Sequence, residues 1–227
     1  MLVWLVIWLL FNQFPEGKLP KEAQEVERLV TPQFAQLFFE EEVFGALKYA
    51  HQNDSIKFIR DSIEAMRHKV SIVPVKSFYR DKKGIAWPLV GATPAKMRMK
   101  DGVEKAVIML YVPAFYEVSI SNLPEEKKRE FILSVILHEY LHIKYDQNHP
   151  GDAINESKEA VVREEAAVWA EQIEKMLQPM QRAKRYLHPT TLEVMRAYTK
   201  YKKNQKRWQA WISDNRTPYA KPSSQRR

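Results

Sequence analysis

The chain has 227 residues, no cysteine, and 36 Lys and Arg against 28 Asp and Glu, for a net charge of +8. That length suits one domain with short appendages. The missing cysteines exclude disulfides and thiolate metal sites. With only 6 glycines and no glycine-rich phosphate loop, a nucleotide-binding fold is disfavoured.

Met1 to Phe11 is nearly all large and apolar. Such a run is too short for a bilayer span, which needs about 20 residues. It lacks the basic start and small cleavage-site residues of a signal peptide. It reads as a core or interfacial helix, an atypical anchor or signal, or a partner-binding stretch, and Trp4 and Trp8 suit an interface. The chain is therefore expected to be membrane-associated through this segment, or cytoplasmic. The expected divisions are 1–17, a body over 18–180, a basic helix over 181–213 and a disordered basic tail over 214–227.

After Pro15 and Pro20, a short helix is expected from Lys21 to Val30. Thr31-Pro32 combines a cap with proline at the first helical position and starts a helix to about His51. Asn53-Asp54-Ser55 restarts a helix with Ile56, Ile59, Ile63 and Met66 on one face. His51 and His68 read as ordinary helix residues. From Val70 the period changes to two, as in a strand. Lys82-Lys83-Gly84 is a turn, and Trp87-Pro88 opens an irregular loop through Gly91 and Pro94. Val103 to Val112 is the clearest strand. The fold class is α+β, mostly helical, with a small sheet packed on the helix that follows.

That helix is expected from about 124 to 147. Asn122 offers a cap, Pro124 sits in the first turn, and Glu125 and Glu126 suit the positive helix end. It contains His138-Glu139-Tyr140-Leu141-His142, an H-E-x-x-H pattern. Residues four apart lie on one helix face, so both imidazoles can reach one metal ion, and the intervening Glu139 lies beside that face as a general base. Zinc usually takes a third protein ligand. A second helix, about 157 to 180, carries Glu164 and Glu165 and can return beside the histidines.

Here the chain resembles the gluzincins, zinc peptidases whose ligands are two His and one Glu. Glu164, Ala167 and Glu171 match the E-x-x-A-x-x-x-E run of the aminopeptidase branch, with 21 residues between His142 and Glu164. Arg163 stands where an Asn is usual, Val168 where an Asp is common, and the G-A-M-E-N substrate motif is absent. The resemblance covers residues 124–177 and supports a clan. It implies Zn2+, with His138, His142 and Glu164 as ligands and Glu139 as base, in a zincin-like domain. Glu165 is the rival third ligand, favoured by its nearness to the stripe Val162, Ala166, Trp169 and Ile173. Asn155-Glu156 is a more distant third option. In zincins the strand before the motif helix often forms the rim of the cleft, where a peptide can add as a strand. Tyr111, Tyr116, Tyr145 and His149 are candidates to stabilise an oxyanion or donate a proton.

Beyond Pro179 the chain turns basic. Residues 182–227 hold 13 Lys and Arg against 2 Asp and Glu, so the first 181 carry a net of −3. His188-Pro189-Thr190-Thr191 opens a last helix to about Ile212, with Lys200, Lys202, Lys203, Lys206 and Arg207 among Tyr198, Tyr201, Trp208 and Trp211. Such interleaving either grips nucleic acid or an anionic membrane or docks its aromatics on the body. Two functions follow. One is a zinc metallopeptidase, an endopeptidase in the absence of the aminopeptidase motif, cleaving a protein or peptide substrate through metal-activated water. The other is a nucleic-acid- or anionic-membrane-binding protein acting through the basic segment, with a structural or vestigial metal site.

Overall fold

The computed structural model describes residues 19–52, 57–66, 69–80, 84, 86–87, 89–93, 97–98, 104–117, 122–150 and 157–216. The apolar N-terminal run, the Asn53-Asp54-Ser55 start, His68, the Lys82-Lys83 turn, Asn155-Glu156 and residues 217–227 of the expected tail lie outside these residues, while Asp214 and Asn215 are helical.

The helices are α1 (Lys21–Leu29), α2 (Pro32–Phe38), α3 (Phe44–His51), α4 (Lys57–Met66), α5 (Val112–Glu117), α6 (Glu125–Asn148), α7 (Lys158–Gln172), α8 (Gln178–Arg182), α9 (Pro189–Tyr201) and α10 (Gln205–Asn215). The strands are β1 (Val70–Val75), β2 (Tyr79–Arg80), β3 (Ala86–Trp87), β4 (Gly91–Ala92), β5 (Met97–Arg98) and β6 (Glu104–Tyr111). The fold is α+β and mostly helical. Thr31 caps α2 by accepting from the Phe34 amide at 3.1 Å, as its Thr-Pro start predicts. A π turn, Phe39–Val43, joins α2 to α3, and another, Ile173–Leu177, joins α7 to α8. The helices expected over 31–51 and 157–180 are therefore present, each with one wide turn.

The sheet is where expectation and structure differ most. β6 is not a rim strand. It pairs in parallel with β1 along Val70–Val75 and antiparallel with β4 and β5 on its other side. With β1 along one edge and β4 and β5 at the ends of the other, β6 offers no continuous free edge to a peptide. The apolar run of β6 fits this central place: Ile108 and Leu110 enter the main core, while Met109 and Tyr111 join a second cluster with Ala23, Phe78 and Ala86. The expected loop at Gly91 contains the short strand β4, which pairs Gly91 with Leu110 and Ala92 with Met109.

Helix α6 runs through the centre. Phe131, Ile132, Leu133, Val135, Ile136, Leu137, Leu141 and Ile143 are all buried and surround its axis. A helix apolar all round has neighbours on every side. Here these are α3, α4, α7 and the sheet. Its N-cap is Pro124 with no side-chain cap, so the expected Asn122 cap does not form. Helix α7 starts at Ser157, whose hydroxyl accepts from the Ala160 amide at 3.2 Å.

The expected single C-terminal helix is two. The chain breaks after α9, and Asn204 starts α10 by accepting from the Arg207 amide at 3.1 Å. Val194, Met195, Tyr198, Trp208 and Ile212 are buried in the same core as α6. The basic segment is thus part of the body. Lys200, Lys202, Lys203, Lys206 and Arg207 are exposed.

Candidate metal centre

Helices α6 and α7 lie side by side and bring three donors together: His138, His142 and Glu165. The Nε2 atoms of the two histidines are 3.2 Å apart. The Glu165 carboxylate stands 3.8 Å from Nε2 of His138 and 3.5 Å from Nε2 of His142, through different oxygens. Zinc–nitrogen bonds of about 2.0–2.1 Å at tetrahedral angles place ligand atoms about 3.3–3.4 Å apart. The spacing of the two nitrogens fits one small cation, and the Glu165 carboxylate reaches the same point from one side after a side-chain shift.

The far sides of the rings support the same reading. The Gln172 amide nitrogen donates to the Ser134 carbonyl at 2.8 Å and faces its hydroxyl at 3.3 Å. This fixes the Gln172 oxygen as an acceptor, 3.0 Å from Nδ1 of His138. His138 thus carries its proton on Nδ1 and presents a lone pair at Nε2. Glu164 accepts from Nδ1 of His142 at 2.5 Å. Ligating histidines are characteristically held this way, with the second ring nitrogen donating to a carboxylate or carbonyl group. Trp169 packs its ring 4.5 Å from that of His138.

Of the two candidate third ligands, the structure brings Glu165, not Glu164, to the Nε2 atoms. The Glu164 carboxylate sits behind His142, and Glu165 faces the two Nε2 atoms. The cause is the facing of α7. Val162 and Ala166 are buried, Glu165 lies between them in sequence with its carboxylate toward the two imidazoles, and Ala167 is exposed. The E-x-x-A register does face α6, at His142 and Lys144, but it does not bring a third donor to the two Nε2 atoms. Glu171, the last residue of that match, instead pairs with Lys144 at 2.5 Å and Lys175 at 2.9 Å.

Glu139 is almost fully buried, under strand β4. The Thr93 hydroxyl lies 3.1 Å from its carboxylate and 3.0 Å from its carbonyl. A Cβ on Gly91 would stand 3.0 Å from the Glu139 side chain and 3.0 Å from Val135. Only glycine lets the strand approach this closely.

Electrostatics show a pocket short of positive charge. Burial lowers His138 to about 3, and the charge of His142 adds to this. Burial also disfavours the charged form of His142, but Glu165, Glu164 and Glu139 outweigh it and raise the group to about 10. Burial raises Glu165 to about 7, with Glu139 and Glu164 adding and His142 and Arg216 opposing. Burial raises Glu139 against the His142 charge and the Thr93 hydroxyl. One oxygen of Asp146, one turn beyond His142, is buried with no hydrogen-bond partner among the described residues.

Of the four oxyanion candidates, Tyr111 is close enough for Glu139 to raise it; burial, the larger cause, brings it to about 12. Tyr116 packs against Phe34 and Phe38. Tyr145 and His149 stack on each other at 4.1 Å and line a separate cavity of about 340 Å³ with Lys144 and Arg163. Sequence reasoning passed over Gln172, Ser134, Thr93 and Gly91. The first two had a signal: Glu165, Trp169 and Gln172 lie at i, i+4 and i+7, and Ser134 precedes His138 by four. Thr93 and Gly91 had none, because β4 is two residues long.

No protein-family model, curated protein or solved structure matches this chain significantly. A possible metal-binding triad of His138, His142 and Glu165 therefore stands on geometry alone.

Proposed function

We propose that this protein is a zinc-dependent hydrolase of peptide bonds. The observation that carries the reading is the convergence of both Nε2 atoms and the Glu165 carboxylate, with each Nδ1 held by its own acceptor. His138, His142 and Glu165 would hold the ion, and Glu164, Gln172 and Ser134 would orient the ligands. Bound there, zinc acidifies water and polarises a carbonyl. Two nitrogens and a carboxylate also suit iron(II). Glu139 favours hydrolysis: it lies one residue from a ligand, and its charge acts on His142 and Glu165. As general base it would accept the proton of the attacking water and pass it to the leaving amine.

Binding of nucleic acid or an anionic membrane by the basic segment has less support. Its lysines are exposed, but Tyr198 and Trp208 are buried and cannot stack on bases. The deciding experiment is elemental analysis of the purified protein, followed by peptide-library digestion with the parent and Glu139→Gln. The reading expects about one zinc per chain in both and cleavage only by the parent. A parent without zinc after metal is added back, or a Glu139→Gln protein that cleaves at the parent's rate, refutes it.

A further inference from the structure

We propose that Trp208 of the C-terminal helix is a positioning residue for the metal centre, acting through the backbone of Glu165's own helical turn. This rests on the zinc reading above.

Trp208 is buried, and its indole Nε1 donates to the carbonyl of Ala166 at 2.9 Å. Ala166 follows Glu165 directly and packs in the interior. The indole is a single donor with a fixed direction. It therefore fixes one turn of α7 both along and around that helix's axis. A rotation of that turn carries Glu165 away from the two imidazoles and brings Glu164 forward.

The indole is itself held firmly. Its ring stacks on Trp211 at 5.7 Å with 7° between planes, and meets Tyr198 edge-on at 5.2 Å. The Arg216 guanidinium lies 5.0 Å from the Trp211 ring and pairs with Glu193 of α9 at 2.7 Å. Ile212, one turn beyond Trp208, is fully buried. Its packing anchors α10 without a directional bond to α7. The basic segment thus packs directly on α7, beside the turn that carries Glu165.

The test separates positioning from mere packing. Zinc affinity is measured by competition with a chromophoric chelator for the parent, Trp208→Phe and Ile212→Ala. Trp208→Phe keeps an aromatic ring and removes the donor, and zinc affinity is expected to fall about tenfold, the upper range for one hydrogen bond. Ile212→Ala is expected to lower the unfolding temperature while leaving zinc affinity within about twofold. Equal zinc affinity in the parent and Trp208→Phe overturns the proposal. So does a loss in Ile212→Ala as large as that in Trp208→Phe.

Should Trp208→Phe not fold, the parent itself decides. Coupling is reciprocal, so adding zinc should slow hydrogen exchange at the Trp208 indole about tenfold, and unchanged exchange overturns the proposal. A parent that binds no zinc refutes the zinc reading and this proposal with it. A parent that binds zinc and fails these tests refutes this proposal alone.

Discussion

Replacing Glu165 and Glu164 separately should give very different metal affinities. Glu165 faces both Nε2 atoms, at 3.5 and 3.8 Å, whereas Glu164 faces Nδ1 of His142 at 2.5 Å. A zinc site is worth about 10–16 kcal/mol for four ligands, so one ligand's share is about 3–4 kcal/mol, or two to three decades in affinity. Glu165→Ala should lose that much. Removing an outer partner costs about 10–100-fold. Glu164→Gln keeps an acceptor for the imidazole N–H, so its cost should lie near the low end, about tenfold. Zinc titrations at neutral pH against a competing chelator read both values on folded protein. A Glu164→Gln variant that no longer binds zinc, beside a Glu165→Ala variant that does, would reverse the assignment and restore the E-x-x-A register.

Three further outcomes test the packing around the site. Gly91→Ala places a methyl 3.0 Å from Glu139 and Val135, and such overpacking costs about 1–3 kcal/mol; thermal unfolding should show a drop of several degrees, and an unchanged midpoint would deny the close contact. His188 is buried, and burial lowers it to about 4 from a normal 6.5. Its neutral form contributes stability that is full above pH 6.5 and is lost as pH falls toward 4, about 3 kcal/mol in all. His188→Asn keeps a capping side chain and should flatten that part of the stability profile; a slope equal to the parent's would refute the assignment. Deleting residues 205–227 removes the buried Trp208 and Ile212, worth about 5 kcal/mol or more together, which approaches the whole stability of a typical domain. The shortened chain should unfold well below the parent's temperature or be proteolysed rapidly, and an unaltered melting curve would mean that the segment is a separate appendage after all.

The sequence by itself determined the local features. The spacing of His138 and His142 puts both rings on one helix face whatever surrounds it, because a helix repeats every 3.6 residues. The Thr31-Pro32 start, the span of α6 and the strand character of β6 follow from neighbours a few residues apart. The proposed roles of Glu139 as base and of the two histidines as ligands rest on the same local spacing. The residue that completes the possible triad was not legible. Glu164 and Glu165 are adjacent, and which one meets the histidines depends on how α7 is turned against α6. Val162 and Ala166 are buried there, and Trp208, 42 residues beyond Ala166, donates to its carbonyl, contacts that exist only in the closed chain. The place of β6 in the sheet was equally beyond the sequence, since strand order depends on partners as short as Gly91–Ala92. The charge of the C-terminal segment was plain from composition. That Tyr198 and Trp208 face inward and pack on the core was decided only when the chain closed on itself, because burial belongs to the packed whole.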